Sequence, residues 1–117
     1  MSALTLRGYE TLATRTANHA QDADLFLAAL GLCGESGEYA DLVKKHRFHG
    51  HPIDLDKMTS EIGDILWYCA AACRALALAS GVSISLEDVA RQNIAKLQER
   101  YPEGFSHEAS LNRKVAP

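Results

Sequence analysis

The chain has 117 residues, 47% apolar and 23% charged, which fits one globular domain and excludes a disordered or low-complexity polypeptide. Twelve lysines and arginines against 15 aspartates and glutamates give a net charge of −3 and a pI near 5.9. That balance shows no basic stripe for nucleic acid, and 7% aromatics with three prolines argue against a β-sandwich.

Leu4, Leu6, Tyr9, Leu12, Ala13 and Thr16 keep to one helical face, predicting a first helix that reaches about Asn18. Asp22 or Asp24 can cap a second, because a carboxylate there accepts orphan backbone N–H groups and opposes the helix dipole. It runs through Leu25, Leu30, Leu32, Leu42 and Val43 and ends near Gly50 and Pro52. A third starts around Asp54, carries Met58, Ile62, Ile65, Leu66, Cys69, Cys73 and Leu76 at 3–4 spacing, and closes at Gly81. Ser85-Leu86-Glu87-Asp88 has the form of a capping box and opens a fourth helix that Pro102 ends. The polar tail from Ser106 to Pro117 carries little pattern and is expected to be mobile. No stretch alternates with period two, so the fold class is all-α, read as an antiparallel four-helix bundle-like subunit over residues 1–117.

Cys33, Cys69 and Cys73 are an odd set without paired spacing and not a disulfide framework, and Cys69 and Cys73, four apart in an apolar run, are expected as buried, reduced, structural thiols. Residues Met1 to Gly8 lack a signal-peptide pattern. The longest apolar run, Ile65 to Cys73, stops at Arg74, far short of a membrane span. A cytoplasmic protein is expected. The third helix is nevertheless hydrophobic nearly all round from Ile65 to Ala79, more than so small a subunit can cover, which predicts burial against a second subunit.

The second and third helices carry Glu35-Ser36-Gly37-Glu38 and Glu61-Ile62-Gly63-Asp64. Spacing of i, i+3 puts both carboxylates of a pair on one side of a helix, about 5–6 Å apart at Cβ. A single such pair is ordinarily a solvated face. Two pairs on antiparallel neighbours bring four carboxylates together, and a hard divalent cation relieves their repulsion. Leu30, Leu32, Leu42, Ile62, Ile65 and Leu66 flank the pairs, so the carboxylates are expected to border the buried side. Gly31, Gly34, Gly37 and Gly63 lie at or inside the motifs, each costing a helix about 1 kcal/mol, a cost expected where a backbone or ligand approaches closely.

The runs Ala29-Leu30-Gly31-Leu32-Cys33-Gly34-Glu35-Ser36-Gly37-Glu38, Asp41-Leu42-Val43-Lys44-Lys45, Glu61-Ile62-Gly63-Asp64-Ile65-Leu66-Trp67-Tyr68 and Asn93-Ile94-Ala95-Lys96-Leu97, with Arg100-Tyr101-Pro102, resemble the MazG-like nucleotide pyrophosphohydrolases of the all-α NTP pyrophosphatase superfamily. The resemblance implies Mg²⁺-dependent cleavage of a nucleoside triphosphate between its α- and β-phosphates, with Mn²⁺ as a substitute ion. It implies Glu35, Glu38, Glu61 and Asp64 as metal ligands, with Glu38 the candidate for orienting or deprotonating water. It further implies Lys45, Tyr68, Asn93, Lys96 and Arg100 as substrate-binding residues, and a homodimer or homotetramer. One departure from the family's pattern is a longer link between the third and fourth helices, Ala75 to Ser85.

His46, His49 and His51 lack a Cys or carboxylate that would complete a tetrahedral zinc set, and read as a polar, partly basic helix end. Trp67 reads as a core or interface aromatic, with stacking on a base as the alternative. Discrimination of base and sugar is expected from the first helix, the Ala29–Gly34 turn or a neighbouring subunit. Two other readings compete: a phosphoribosyl-ATP pyrophosphohydrolase-type activity on the same fold, and a non-enzymatic helical oligomerisation or adaptor module. The partners expected are a nucleoside triphosphate and further copies of the chain, with neither nucleic acid nor membrane.

Overall fold

The computed structural model describes residues 2–18 and 24–113. Among them every regular element is helical: α1 (Leu6–Ala13), a 3₁₀ turn (Thr14–Thr16), α2 (Leu25–His49), α3 (Leu55–Ser80), α4 (Leu86–Arg100) and α5 (His107–Leu111). The chain forms two compact units, Met1–Leu86 and Glu87–Pro117.

Local chemistry sets the ends of each helix. Thr5 caps α1 by accepting from the Gly8 N–H at 2.9 Å. The predicted first helix is longer than the observed one, and its own threonines explain why. The Thr14 hydroxyl donates to the Thr11 carbonyl and the Thr16 hydroxyl to the Ala13 carbonyl, at 3.2 and 2.8 Å. Back-bonding of this kind competes with the α-helical ladder and favours the tighter turn. Asp24 is the cap of α2, accepting from Phe26 N–H at 2.7 Å and Leu27 N–H at 3.2 Å, while Asp22 lies outside the described residues. Gly50 and Gly81 close α2 and α3 in the left-handed conformation, at φ 73° and 74°, where a side chain would be strained. Because α3 runs on to Ser80, the long link expected from Ala75 to Ser85 shrinks to residues 81–85; the remainder is helix. The Ala29–Gly34 segment is interior to α2, within the second helix as expected.

In the first unit α2 and α3 lie side by side and antiparallel. Gly31 meets Tyr68, Glu35 and Glu38 meet Glu61, and Leu42 shares a small cavity with Met58, so rising positions on α2 face falling positions on α3. The α2 side of this seam, Gly31, Glu35, Glu38, Leu42 and Lys45, repeats at alternating four- and three-residue steps, the rhythm of helices packed at a shallow angle. Helix α1 packs onto α3, where Tyr9 joins Ala70, Cys73 and Leu86 in the core with Cys69 and Ile84. Glu10 accepts from the Leu86 N–H at 3.3 Å and so satisfies an orphan donor at the start of α4.

The core is made of Ala28, Ala70, Ala71, Cys73, Ala75 and Leu86. Large apolar groups remain outside it, with Phe26 80% exposed and Leu30 71% exposed. Of the apolar residues expected to put the acidic pairs at a buried border, Leu32, Leu42 and Ile65 are half-buried, whereas Leu30, Ile62 and Leu66 are exposed. Helix α3 is long and apolar enough to cross a membrane by length and composition, a property the uninterrupted run from Ile65 to Cys73 does not convey. Its one buried stretch carries alanines and Cys73 against α1 and Leu86.

The second unit holds the rest of α4, a turn and α5. Arg91 pairs with Glu87 at 3.4 Å along α4. Gly104, at φ 87°, turns the chain after Pro102, and Tyr101 and Phe105 pack as tilted rings with centroids 5.5 Å apart. Ser106 then caps α5 by accepting from Ala109 N–H at 3.0 Å, so part of the tail expected to be mobile is a fifth helix. The cap serine before His-Glu-Ala was the sequence signal for it.

Candidate metal centre

Three of the four expected carboxylates converge. One oxygen each from Glu35, Glu38 and Glu61 lies within 4.8 Å of the others, across the seam between α2 and α3. The i, i+3 spacing turns both α2 glutamates to α3, and the antiparallel register brings Glu61 opposite them. Asp64, the fourth, stands one turn further along α3, outside this triangle, on the wall of an adjoining cavity with Glu35.

The electrostatics are those of an uncompensated acidic site. Oε2 of Glu35 and Oε2 of Glu61 are both buried without a hydrogen-bond partner. Two carboxylates with no donor between them can bond only by sharing a proton. That contact with Glu35 is the main reason the Glu61 carboxyl is pushed up to about 7; loss of water and the Glu38 charge add to it. Buried carboxylate oxygens are rarely left unsatisfied, and the donor set here is all oxygen, which suits a hard divalent cation.

The adjoining cavity, about 330 Å³, is lined by Thr16, Glu35, Asp64, Trp67 and Tyr68. Tyr68 lies across Gly31, where a methyl group would collide with its ring. Close approach therefore explains Gly31. At Gly34, Gly37 and Gly63 no group from elsewhere in the chain comes within 4 Å of where a side chain would start, so no close backbone explains them. Trp67 packs edge-on to Tyr68 at 5.0 Å, and its indole N–H reaches both the Ala13 carbonyl, at 3.1 Å, and the Thr16 hydroxyl, at 3.0 Å. Tyr9 stands behind this wall; burial raises its phenol above the ordinary value, with the charges of Asp64 and Cys69 adding to the effect.

Lys45 lies on the same face of α2 as the glutamates, two turns beyond Glu38, and is held by Asp41 at 2.9 Å. Lys44 joins the same carboxylate at 3.2 Å, and the two lysines, Lys45 first, hold Asp41 below the usual carboxylate range. Asn93, Lys96 and Arg100 belong to the second unit, on α4, with Asn93 and Lys96 exposed. The histidines do not gather around a common point: His46 Nδ1 bonds the His51 carbonyl at 2.8 Å, and the only three-ligand group among the described residues is the glutamate triangle. All three cysteines are free, Cys73 buried and Cys33 exposed. What the sequence did not reveal is Thr16, since its place beside Asp64 depends on a 3₁₀ turn and on a tryptophan 51 residues away.

Residues 26–105 match the model of the MazG nucleotide pyrophosphohydrolase domain, a span that includes all four carboxylates. The chain belongs to the MazG family. It is also similar to the Gene 37 protein of Mycobacterium phage L5, 32% identical over 115 residues that cover 90% of this chain and 96% of that protein. No solved structure matches it. Membership in a family of nucleotide pyrophosphohydrolases gives the acidic seam a chemical context.

Proposed function

We propose that this protein is a divalent-metal-dependent nucleoside triphosphate pyrophosphohydrolase, converting an NTP or dNTP to the monophosphate and pyrophosphate. The observation that carries the reading is the meeting of Glu35, Glu38 and Glu61 across the seam, with two buried oxygens unpartnered, in a MazG-family chain.

Glu35, Glu38 and Glu61 would hold the ion, Mg²⁺ or Mn²⁺ in its place, with Asp64 as the fourth carboxylate one turn away. Bound there, it neutralises phosphate charge and acidifies water. The protein's own contribution is positioning and proton handling, because phosphoryl chemistry needs little covalent help. Glu38 is the most solvent-open of the three glutamates, so it is the group assigned to orient water and take its proton. Attack at the α-phosphorus then breaks the bond to the bridging oxygen, and pyrophosphate leaves. Tyr68 and Lys45 flank the glutamates along the seam and are assigned to the nucleotide and its phosphates. Asn93, Lys96 and Arg100 are assigned to the triphosphate, the last two one helical turn apart on α4. The exposed apolar groups on α2 and α3 favour a homodimer or homotetramer, and a nucleotide substrate favours the cytoplasm, with no nucleic acid or membrane as partner.

Phosphorus NMR of the pure protein with each common nucleoside triphosphate, with Mg²⁺ and again with EDTA, tests the reading. Monophosphate and pyrophosphate appearing only with metal is the expected result. Orthophosphate with a diphosphate would reject the α–β cleavage, and no turnover together with no Mg²⁺ binding would favour an adaptor module.

A further inference from the structure

Thr16 has a defined and nearly exhausted hydrogen-bonding capacity. Its hydroxyl proton goes to the Ala13 carbonyl at 2.8 Å, and one of its lone pairs accepts the Trp67 indole N–H at 3.0 Å. A hydroxyl has one donor and two acceptor sites, so a single acceptor lone pair remains for anything in the cavity. Of the other polar groups on the wall, the Glu35 and Asp64 carboxylates also accept when ionised, the Tyr68 hydroxyl can donate or accept, and Trp67 offers ring surface. The volume, about 330 Å³, is that of a small-molecule site.

We propose that the Ala13–Thr16 turn, latched to α3 by Trp67, is the selectivity wall of this cavity. Its Thr16 hydroxyl selects a nucleotide whose nucleoside half presents an N–H or O–H donor there. The proposal rests on the pyrophosphohydrolase reading for its ligand, but not for its geometry. A carbonyl oxygen set against the Thr16 hydroxyl would meet only its remaining lone pair and lose its hydration without return. Two groups supply the required chemistry: an exocyclic amino group on the base, or a hydroxyl on the sugar. Trp67 acts here as a positioning residue, since its N–H fixes both the turn and the direction in which the remaining lone pair points.

The test compares the wild-type protein, Thr16→Val and Thr16→Ser on matched triphosphates. CTP against UTP and ATP against ITP read the amino group; each ribonucleotide against its deoxy form reads the sugar hydroxyl. The expected result is a wild-type preference in kcat/KM for the donor-bearing member of one kind of pair. Thr16→Val reduces that preference about three- to tenfold, and Thr16→Ser, which keeps the hydroxyl, preserves it. Which pairs respond names the group. Ratios unchanged in Thr16→Val overturn the proposal.

Trp67 is the only tryptophan in the chain, so its fluorescence, titrated with α,β-methylene analogues of the same nucleotides, reads occupancy of the cavity without turnover. If no nucleotide is hydrolysed, the enzymatic reading fails, yet the proposal is still judged. Analogue binding with a donor preference that Thr16→Val loses supports it. Equal affinities, or no response from Trp67, overturn it.

Discussion

Helices α2 and α3 carry nearly the same acidic signature and are nearly the same length, yet they are packed very differently. Helix α3 buries Ala70, Ala71, Cys73 and Ala75, whereas α2 buries only Ala28 among the described residues. Helix α3 is thus the inner support, covered by α1 on one side and α2 on another. Helix α2 is an outer helix whose contact with the rest of the unit is the seam itself. The same motif therefore rests on different supports: Glu61 on a helix anchored by its packed stretch from Ala70 to Ala75, Glu35 and Glu38 on a helix that meets it through the Gly31–Tyr68 contact and the seam.

The largest test of this contrast concerns activity. Glu61→Gln or Glu38→Gln should lower turnover by more than about 100-fold, because even outer-shell partners of metal ligands cost 10–100-fold, while circular dichroism shows the helices intact. Wild-type rates in either variant would remove the carboxylates from the chemistry. Next in size is the seam's register. Gly31→Ala drives a methyl group into the Tyr68 ring, an overpacking cost of about 1–3 kcal/mol that outweighs the helix propensity gained. Gly34→Ala meets nothing within the chain and should stabilise it by about 1 kcal/mol. Urea unfolding of both variants measures the difference, and a destabilised Gly34→Ala would show that a second copy presses on α2.

Much of this arrangement was legible beforehand. Asp24, Asp54, Gly50 and Gly81 delimit α2 and α3 as capping chemistry requires, and two i, i+3 pairs on consecutive helices point to a shared site. The burial of the flanking residues was legible only in part, for Leu32, Leu42 and Ile65. Leu30, Ile62 and Leu66 read as core by composition, but periodicity reports that an apolar face exists, not what covers it. Nor could it distinguish Gly31 from Gly34, since the difference is a ring arriving from a helix 37 residues away. The 3₁₀ turn at Thr14–Thr16 was hidden because hydroxyl back-bonding, not hydrophobic spacing, decides it.

Two smaller effects sharpen the comparison at its edges. Trp67→Phe removes both hydrogen bonds that hold the turn, each worth about 1 kcal/mol, and should raise KM several-fold with little change in kcat. A fall in kcat instead would mean that Trp67 supports α3 rather than the wall. The pH dependence of the metal-free protein gives the smallest signal. Because the Glu61 carboxyl is raised to about 7 from its ordinary 4.5, the folded chain binds more protons than the unfolded one between those values. Stability in EDTA should therefore fall as pH rises from about 4.5 through 7. Glu61→Gln flattens that slope, and Mg²⁺ at pH 8 restores what ionisation removes; a Tm in EDTA that does not fall over this window would contradict the contact with Glu35.

The link from Glu10 to the Leu86 N–H has a kinetic meaning. Helices α2 and α3 meet through a five-residue connection and can pair early as a local hairpin, but the Glu10 contact closes a loop of 76 residues and the Trp67 contacts loops of 51 and 54. Loops of that length cost more entropy to close than the hairpin does, so α1 docks late in folding. By the same contacts it is expected to open before the hairpin in the native state. Amide exchange at Leu86 would then report α1 undocking, well before the α2–α3 hairpin gives up its own protons.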